Sequence, residues 1–137
     1  MIGFHEKSTI IFNHIRLYEY NLRNFSLYKF HISCLKGKVF DVAVDIRKKS
    51  STYGKWVGEI LSDENKYQLY IPAGFAHGYY VMSEVADIAY KCSEIYHPED
   101  ELGLRWNDPD IAIEWPVLNP ILSNKDAILP FLADNFQ

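Results

Sequence analysis

The residues able to do chemistry in this chain are polar aromatics and carboxylates near the ends of short apolar runs: His77, Tyr79, Tyr90, Tyr96, Glu101 and Asp126. A tyrosine inside a barrel can give a proton to a carbanion or stack on a base, and a His or Asp can orient a partner. For each Tyr the plainer role is core packing with its hydroxyl bonded. His77 lies in Ile71-Pro72-Ala73-Gly74-Phe75-Ala76-His77-Gly78-Tyr79-Tyr80-Val81. Pro72 cannot donate to a ladder, and Gly74 and Gly78 reach backbone angles that other residues avoid. A strand is therefore expected to end at Ile71, with a tight loop after it. His77 then falls where the loop re-enters the sheet, a common station for a side chain facing a ligand.

Other chemistries find little footing. The histidines, His5, His14, His31, His77 and His97, form no HxH or HxxxH pair, so no metal site is expected. There is no Gly-rich phosphate loop and no GxSxG. Cys34 and Cys92 form no CxxC pair and fall inside expected strands, which reads as two buried, inert thiols of a reducing, cytoplasmic protein.

These side chains must be positioned by a β-rich scaffold. At 137 residues the chain is expected to be one domain with a sizeable core, and ten Tyr and eight Phe favour pleated, half-buried surfaces. A net charge of -4 leaves no electrostatic footprint for nucleic acid. No apolar run approaches the roughly 18 residues of a membrane span, and the first residues make a poor signal peptide.

Residues 1–26 hold neither the helical nor the strand period. Strands are expected over Leu27–Cys34, Val39–Ile46, Trp56–Leu61 and Lys66–Ile71. Tyr79–Met82 and Val85–Cys92 read as a hairpin across Ser83-Glu84, and Ile111–Trp115 as a last short strand. Lys36-Gly37-Lys38 is a turn, and 47–54 is a polar loop. In Val39–Ile46, Phe40, Val42, Val44 and Ile46 point one way and Asp41 and Asp45 the other. The two carboxylates are expected on a solvated face, with Arg47 and Lys48 nearby to pair with them. Ser123, with Asp126 three residues on, is expected to cap a short C-terminal helix. Short strands without intervening helices indicate an all-β sandwich or barrel.

Several motifs follow one another in order: Phe40-Asp41-Val42-Ala43-Val44-Asp45-Ile46-Arg47, Tyr53-Gly54-Lys55-Trp56, IPAGFAHG, AYKCSEIY, GLRWNDPD, IEWP and LSNKDA. From about Gly37 to Leu132 the series closely resembles the dTDP-4-dehydrorhamnose 3,5-epimerases, cofactor-free enzymes of deoxysugar synthesis. The resemblance implies an antiparallel cupin jelly roll with a short C-terminal helix. It divides the chain into a divergent N-terminal segment, 1–26, and a single cupin domain, 27–137. It also implies a dTDP-4-keto-6-deoxyhexose substrate epimerised at C3 and C5, without metal or nicotinamide. A His base, oriented by an Asp, removes the proton beside the ketone, and a Tyr across the sugar returns one. Position by position, Tyr90 matches the proton donor and Asp126 the carboxylate that orients the base. His77, Glu101 and Lys125 match substrate contacts, and Tyr96 an aromatic lining the pocket.

Family members carry an Arg-Gly-Leu-His segment ahead of the Phe40 strand, whose His is the base and whose Arg grips phosphate. The 39 residues before Phe40 contain no such segment. Counting back, the base position falls on Tyr20. The family's strand Lys falls on Phe30, with Lys29 on the opposite face. His14 and His31 are the candidate replacements. The N-terminal third is thus expected to be truncated, replaced or read in a shifted frame, and the family's homodimer to be weakened. Activity is expected to be reduced, with an inactive sugar-nucleotide-binding cupin remnant as the alternative.

Overall fold

The computed structural model describes residues 14–18, 29–93 and 101–135, the side chains of 14–18, 101, 102 and 135 excepted. Among these, the strands are β1 (His14–Tyr18), β2 (Phe30–Lys36), β3 (Lys38–Asp45), β4 (Trp56–Ser62), β5 (Gln68–Ile71), β6 (Phe75–Val81), β7 (Asp87–Cys92) and β8 (Glu101–Leu102). Two one-turn helices follow, α1 (Asn124–Ala127) and α2 (Leu132–Asn135). The strands form two antiparallel sheets, ordered β4-β3-β6-β1-β8 and β5-β2-β7. This is the all-β jelly-roll architecture expected of a cupin.

β3 sets the plan because both of its faces are covered. Val39 and Ala43 pack inward with Phe30, Ile32, Cys34, Leu61 and Ile71, joining the two sheets. Val42 and Val44 pack outward with Leu104, Ile111 and Leu132 of the C-terminal tail, flanked by Phe40, Trp106 and Trp115. Each fully buried Ile or Leu contributes about 1.5–3 kcal/mol. Ile32, Leu61 and Ile71, none with any exposure, therefore hold the sheets together. The expected alternation holds, but the expected solvation does not. Asp41 and Asp45 are 0% and 1% exposed, because the second sheet covers the face they share with Val39 and Ala43.

The chain changes sheet at Gly37, whose φ is +78° and whose added Cβ would collide with the Val85 carbonyl. Ser83 anchors the same corner. Its Oγ accepts the Lys38 N–H at 2.9 Å and donates to the Val85 carbonyl at 2.8 Å. The expected hairpin across Ser83-Glu84 is consequently absent: β6 belongs to the larger sheet and β7 to the smaller one.

β5 ends at Ile71 before Pro72 as expected, yet β6 starts at Phe75, four residues earlier than the sequence suggested. Pairing with β3 on one side and β1 on the other carries β6 through His77 and Gly78. His77 therefore sits inside a central strand, not at a loop end.

Ile111–Trp115 is not a strand. Asp108 takes the N–H groups of Asp110 and Ile111 at 2.8 and 3.1 Å, and that of Leu132 at 2.6 Å. Ala112 turns at a φ of +51°, and Trp115 Nε1 donates to the Trp106 carbonyl at 2.8 Å, so the segment folds onto the sheet as an irregular cover. Ser123 caps α1 as expected, its Oγ accepting the Asp126 N–H at 3.1 Å. No helix of the described residues is long and apolar enough to cross a membrane.

Candidate active site

The two-residue period of β6 sends Phe75, His77, Tyr79 and Val81 toward the smaller sheet. On β7, Tyr90 stands opposite Ile32 of β2, whose side chain is in the core between the sheets, so Tyr90 shares that inner face. The His77 and Tyr90 rings meet edge to face, their centroids 5.7 Å apart. Tyr79 tilts against His77 at 6.0 Å, and Phe30 stacks over it at 6.5 Å. His77 is 4% exposed, while Tyr90 is 39% exposed and so reaches from this buried cluster to solvent.

Beneath the rings lies a carboxylate that the sequence reading had placed in water. His77 is paired with Ala43 across the β3–β6 ladder and Asp41 with Tyr79. His77 and Asp41 are therefore diagonal neighbours on one face, within side-chain reach. Nε2 of His77 lies 3.0 and 3.1 Å from Oδ1 and Oδ2 of Asp41. Asp41 shares its face with Val39 and Ala43, which pack against the second sheet, and a carboxylate covered in that way must find an internal partner.

Asp45, on the same face, is engaged differently. Oδ1 accepts from Arg47 N at 3.0 Å and Nε at 2.8 Å. Oδ2 accepts from Arg47 Nη2 at 2.7 Å, Ser50 Oγ at 2.6 Å and Thr52 Oγ1 at 2.5 Å. The Arg47 hydrogen bonds, helped by those of the two hydroxyls against the opposing effect of burial, hold this carboxyl well below the usual carboxylate range. The pairing with Arg47 was expected, and it closes the 47–54 loop.

Lys125 and Asp126 lie on α1, beside the segment that follows β8. Arg105 Nη2 donates to the Ala127 carbonyl at 3.1 Å, and Arg105 N to the Pro130 carbonyl at 2.8 Å. Asp126 is buried and accepts from Ser123 Oγ at 2.6 Å, whereas Lys125 is exposed. Glu101 is in register with Tyr18 on β1, with its side chain outside the described residues, as are Tyr96 and Tyr20 altogether. His14 opens β1 in register with Tyr79, its side chain likewise undescribed.

His31 is exposed on the outer face of β2, its ring 4.9 Å from that of Tyr70, and so points away from His77. Phe30 takes the inward position. Of the two thiols expected to be buried, Cys34 is and Cys92, at the end of the edge strand β7, is not. Burial pushes the Cys34 thiol upward from the usual thiol range.

Residues 15–134 match the family model described as dTDP-4-dehydrorhamnose 3,5-epimerase. The dTDP-4-dehydrorhamnose 3,5-epimerase of Shigella flexneri is 58% identical over 95 residues, which are 69% of this chain and 52% of that protein. The one from Methanothermobacter thermautotrophicus is 51% identical over 107 residues, 76% of this chain and 58% of its own length. The chain thus spans about half the length of the curated relatives it matches. Among solved structures, the dTDP-6-deoxy-D-glucose-3,5-epimerase of Legionella pneumophila, in complex with dTDP-4-keto-L-rhamnose, superposes with a TM-score of 0.74 at 51% identity. That match covers 79% of this chain and 62% of that one. The epimerase of Elizabethkingia anophelis gives 0.83 at 40% identity, covering 93% and 69%.

Proposed function

The chain belongs to the dTDP-4-dehydrorhamnose 3,5-epimerase family, and on that premise we propose that it epimerises C3 and C5 of dTDP-4-dehydro-6-deoxyglucose. The observation that carries this reading is the meeting of His77 and Tyr90 between the sheets, two acid–base side chains 5.7 Å apart, ring to ring. The ketone already acidifies the neighbouring C–H, so the protein need only place a base, return a proton and stabilise the enolate. In this reading Tyr90 is the proton donor, and Asp126 holds the place of the carboxylate that orients the family's base. His77, Tyr96, Glu101 and Lys125 bind the sugar nucleotide, and no metal or redox cofactor takes part. Residues 27–137 act as one cupin domain, and the chain associates as a weak homodimer.

In this reading the reaction is slow: among the residues with described side chains no second histidine stands beside His77 and Tyr90, since His31 faces away, and general-base catalysis contributes about 10²–10⁴-fold. Phe30 over His77, where the family resemblance put a lysine, favours the second reading: a domain that binds the sugar nucleotide without turning it over. Two measurements on the purified chain separate them. Deuterium uptake at C3 and C5 of dTDP-4-keto-6-deoxyglucose in heavy water, followed by NMR, supports the epimerase. Calorimetric binding of dTDP without exchange supports the binding domain, and neither binding nor exchange overturns both.

A further inference from the structure

Asp41 takes no part in the roles assigned above, yet it lies under the centre of the site. A carboxylate oxygen only accepts, so the contacts at 3.0 and 3.1 Å require Nε2 of His77 to carry the hydrogen and donate it. In the neutral ring the remaining lone pair is then on Nδ1. Nδ1 has no hydrogen-bond partner among the described residues, although His77 is only 4% exposed. Buried polar atoms are almost always bonded in native structures. Phe30, Tyr79 and Tyr90 frame the ring, and the face of Tyr79 and the stack of Phe30 offer Nδ1 no acceptor or donor of their own.

We propose that Asp41 is a positioning residue of the epimerase: it holds His77 as the Nε2–H tautomer and so presents a bare Nδ1 that accepts a hydrogen bond from a hydroxyl of the keto hexose. The inference rests on the epimerase reading and deepens it. The residue expected from the family resemblance to touch substrate can do so through one nitrogen only, because Asp41 occupies the other. The partner of Nδ1 must be a donor, which a sugar hydroxyl is and a ketone oxygen is not. A carboxylate that oriented the ring for packing alone would leave exchange into the sugar unchanged when the tautomer is reversed.

The test is Asp41→Asn, close in shape but with an amide that can donate to Nε2 and reverse the tautomer. Nitrogen-15 NMR of the imidazoles, with the His77 signals assigned by their loss in His77→Gln, is expected to report hydrogen on Nε2 in the wild type and on Nδ1 in Asp41→Asn. Deuterium exchange into the keto sugar should fall about 10–100-fold, the size of effect expected when a buried polar group loses its hydrogen-bond partner. Calorimetric affinity for dTDP alone, which has no hexose, should change less than about threefold, within the scatter of remote substitutions. A wild-type spectrum with hydrogen on Nδ1 overturns the proposal whether or not the variant folds. So does a reversed tautomer with unimpaired exchange. A wild type that neither binds dTDP nor exchanges the sugar overturns the functional reading itself, and is distinguished from failure of this proposal by the unsubstituted chain alone.

Discussion

β3 carries two buried aspartates four residues apart on one face, and their surroundings could hardly differ more. At the strand's end, Asp45 receives five hydrogen bonds from Arg47, Ser50 and Thr52, all from the loop that follows it. At its middle, Asp41 receives a single imidazole from a residue 36 positions away. In the first region both carboxylate oxygens are answered locally, so the carboxylate fastens a loop. In the second, the partner is a titratable ring with a nitrogen to spare, and a solvent-reaching tyrosine lies against it. The difference teaches where to look for function on a covered sheet: burial alone marks neither aspartate, and the unanswered valence of the partner marks one.

The comparison breaks most visibly at Tyr90. With the keto sugar, Tyr90→Phe should reduce exchange about 10²–10⁴-fold, the range for loss of a positioned acid. Tyr90 is 39% exposed, so unfolding in urea should shift by less than about 0.5 kcal/mol. Asp45→Ala should do the reverse. Three donor side chains would lose their acceptor, a change expected to remove about 2–4 kcal/mol of stability, read as a lower urea midpoint. A loss of stability in the tyrosine variant equal to that in the aspartate variant would erase the distinction between the two regions.

Acid sharpens the same contrast. The Asp45 carboxyl is held down by Arg47 in the folded state, so the unfolded chain binds its proton at higher pH than the folded one. Its contribution is therefore complete above the ordinary carboxylate range and is lost as pH falls toward the depressed folded value. Between about pH 4 and pH 2, wild-type stability should fall more steeply than that of Asp45→Asn, by up to about 1.4 kcal/mol per pH unit for one proton. Urea unfolding at a series of pH values measures both slopes, and equal slopes would show that the Arg47 cluster does not bias this carboxyl.

How much of this was legible in the sequence depended on whether the signal was local. Pro72 ended β5, Gly37 turned the chain and Ser123 capped α1, because each acts on backbone within a few residues of itself. The motif series named the fold and the family and pointed to His77 and Tyr90. What failed needed knowledge of neighbours. The start of β6 is set by two flanking strands, and the missing hairpin by a corner that Ser83 shares with Lys38. Asp41 was misplaced in water because its partner comes from another strand and because two carboxylates four residues apart look like a wet face.

The smallest expected effect tests that two-faced logic directly. As the histidine on a strand reaching the site, His31 was a natural candidate for a replacement base, one residue from Phe30. Yet successive residues of a strand face opposite sides. Phe30 stacks on His77 while His31 lies exposed against Tyr70. No rotamer carries a side chain through a sheet, so His31→Asn should leave exchange within about twofold and stability within about 0.5 kcal/mol, as for other surface substitutions. A drop in exchange of tenfold or more, with the melting curve unchanged, would mean that β2 works with its outer face toward a sugar. The inner cluster of Asp41, His77 and Tyr90 would then be packing, and the contrast between the two aspartates would lose its functional half.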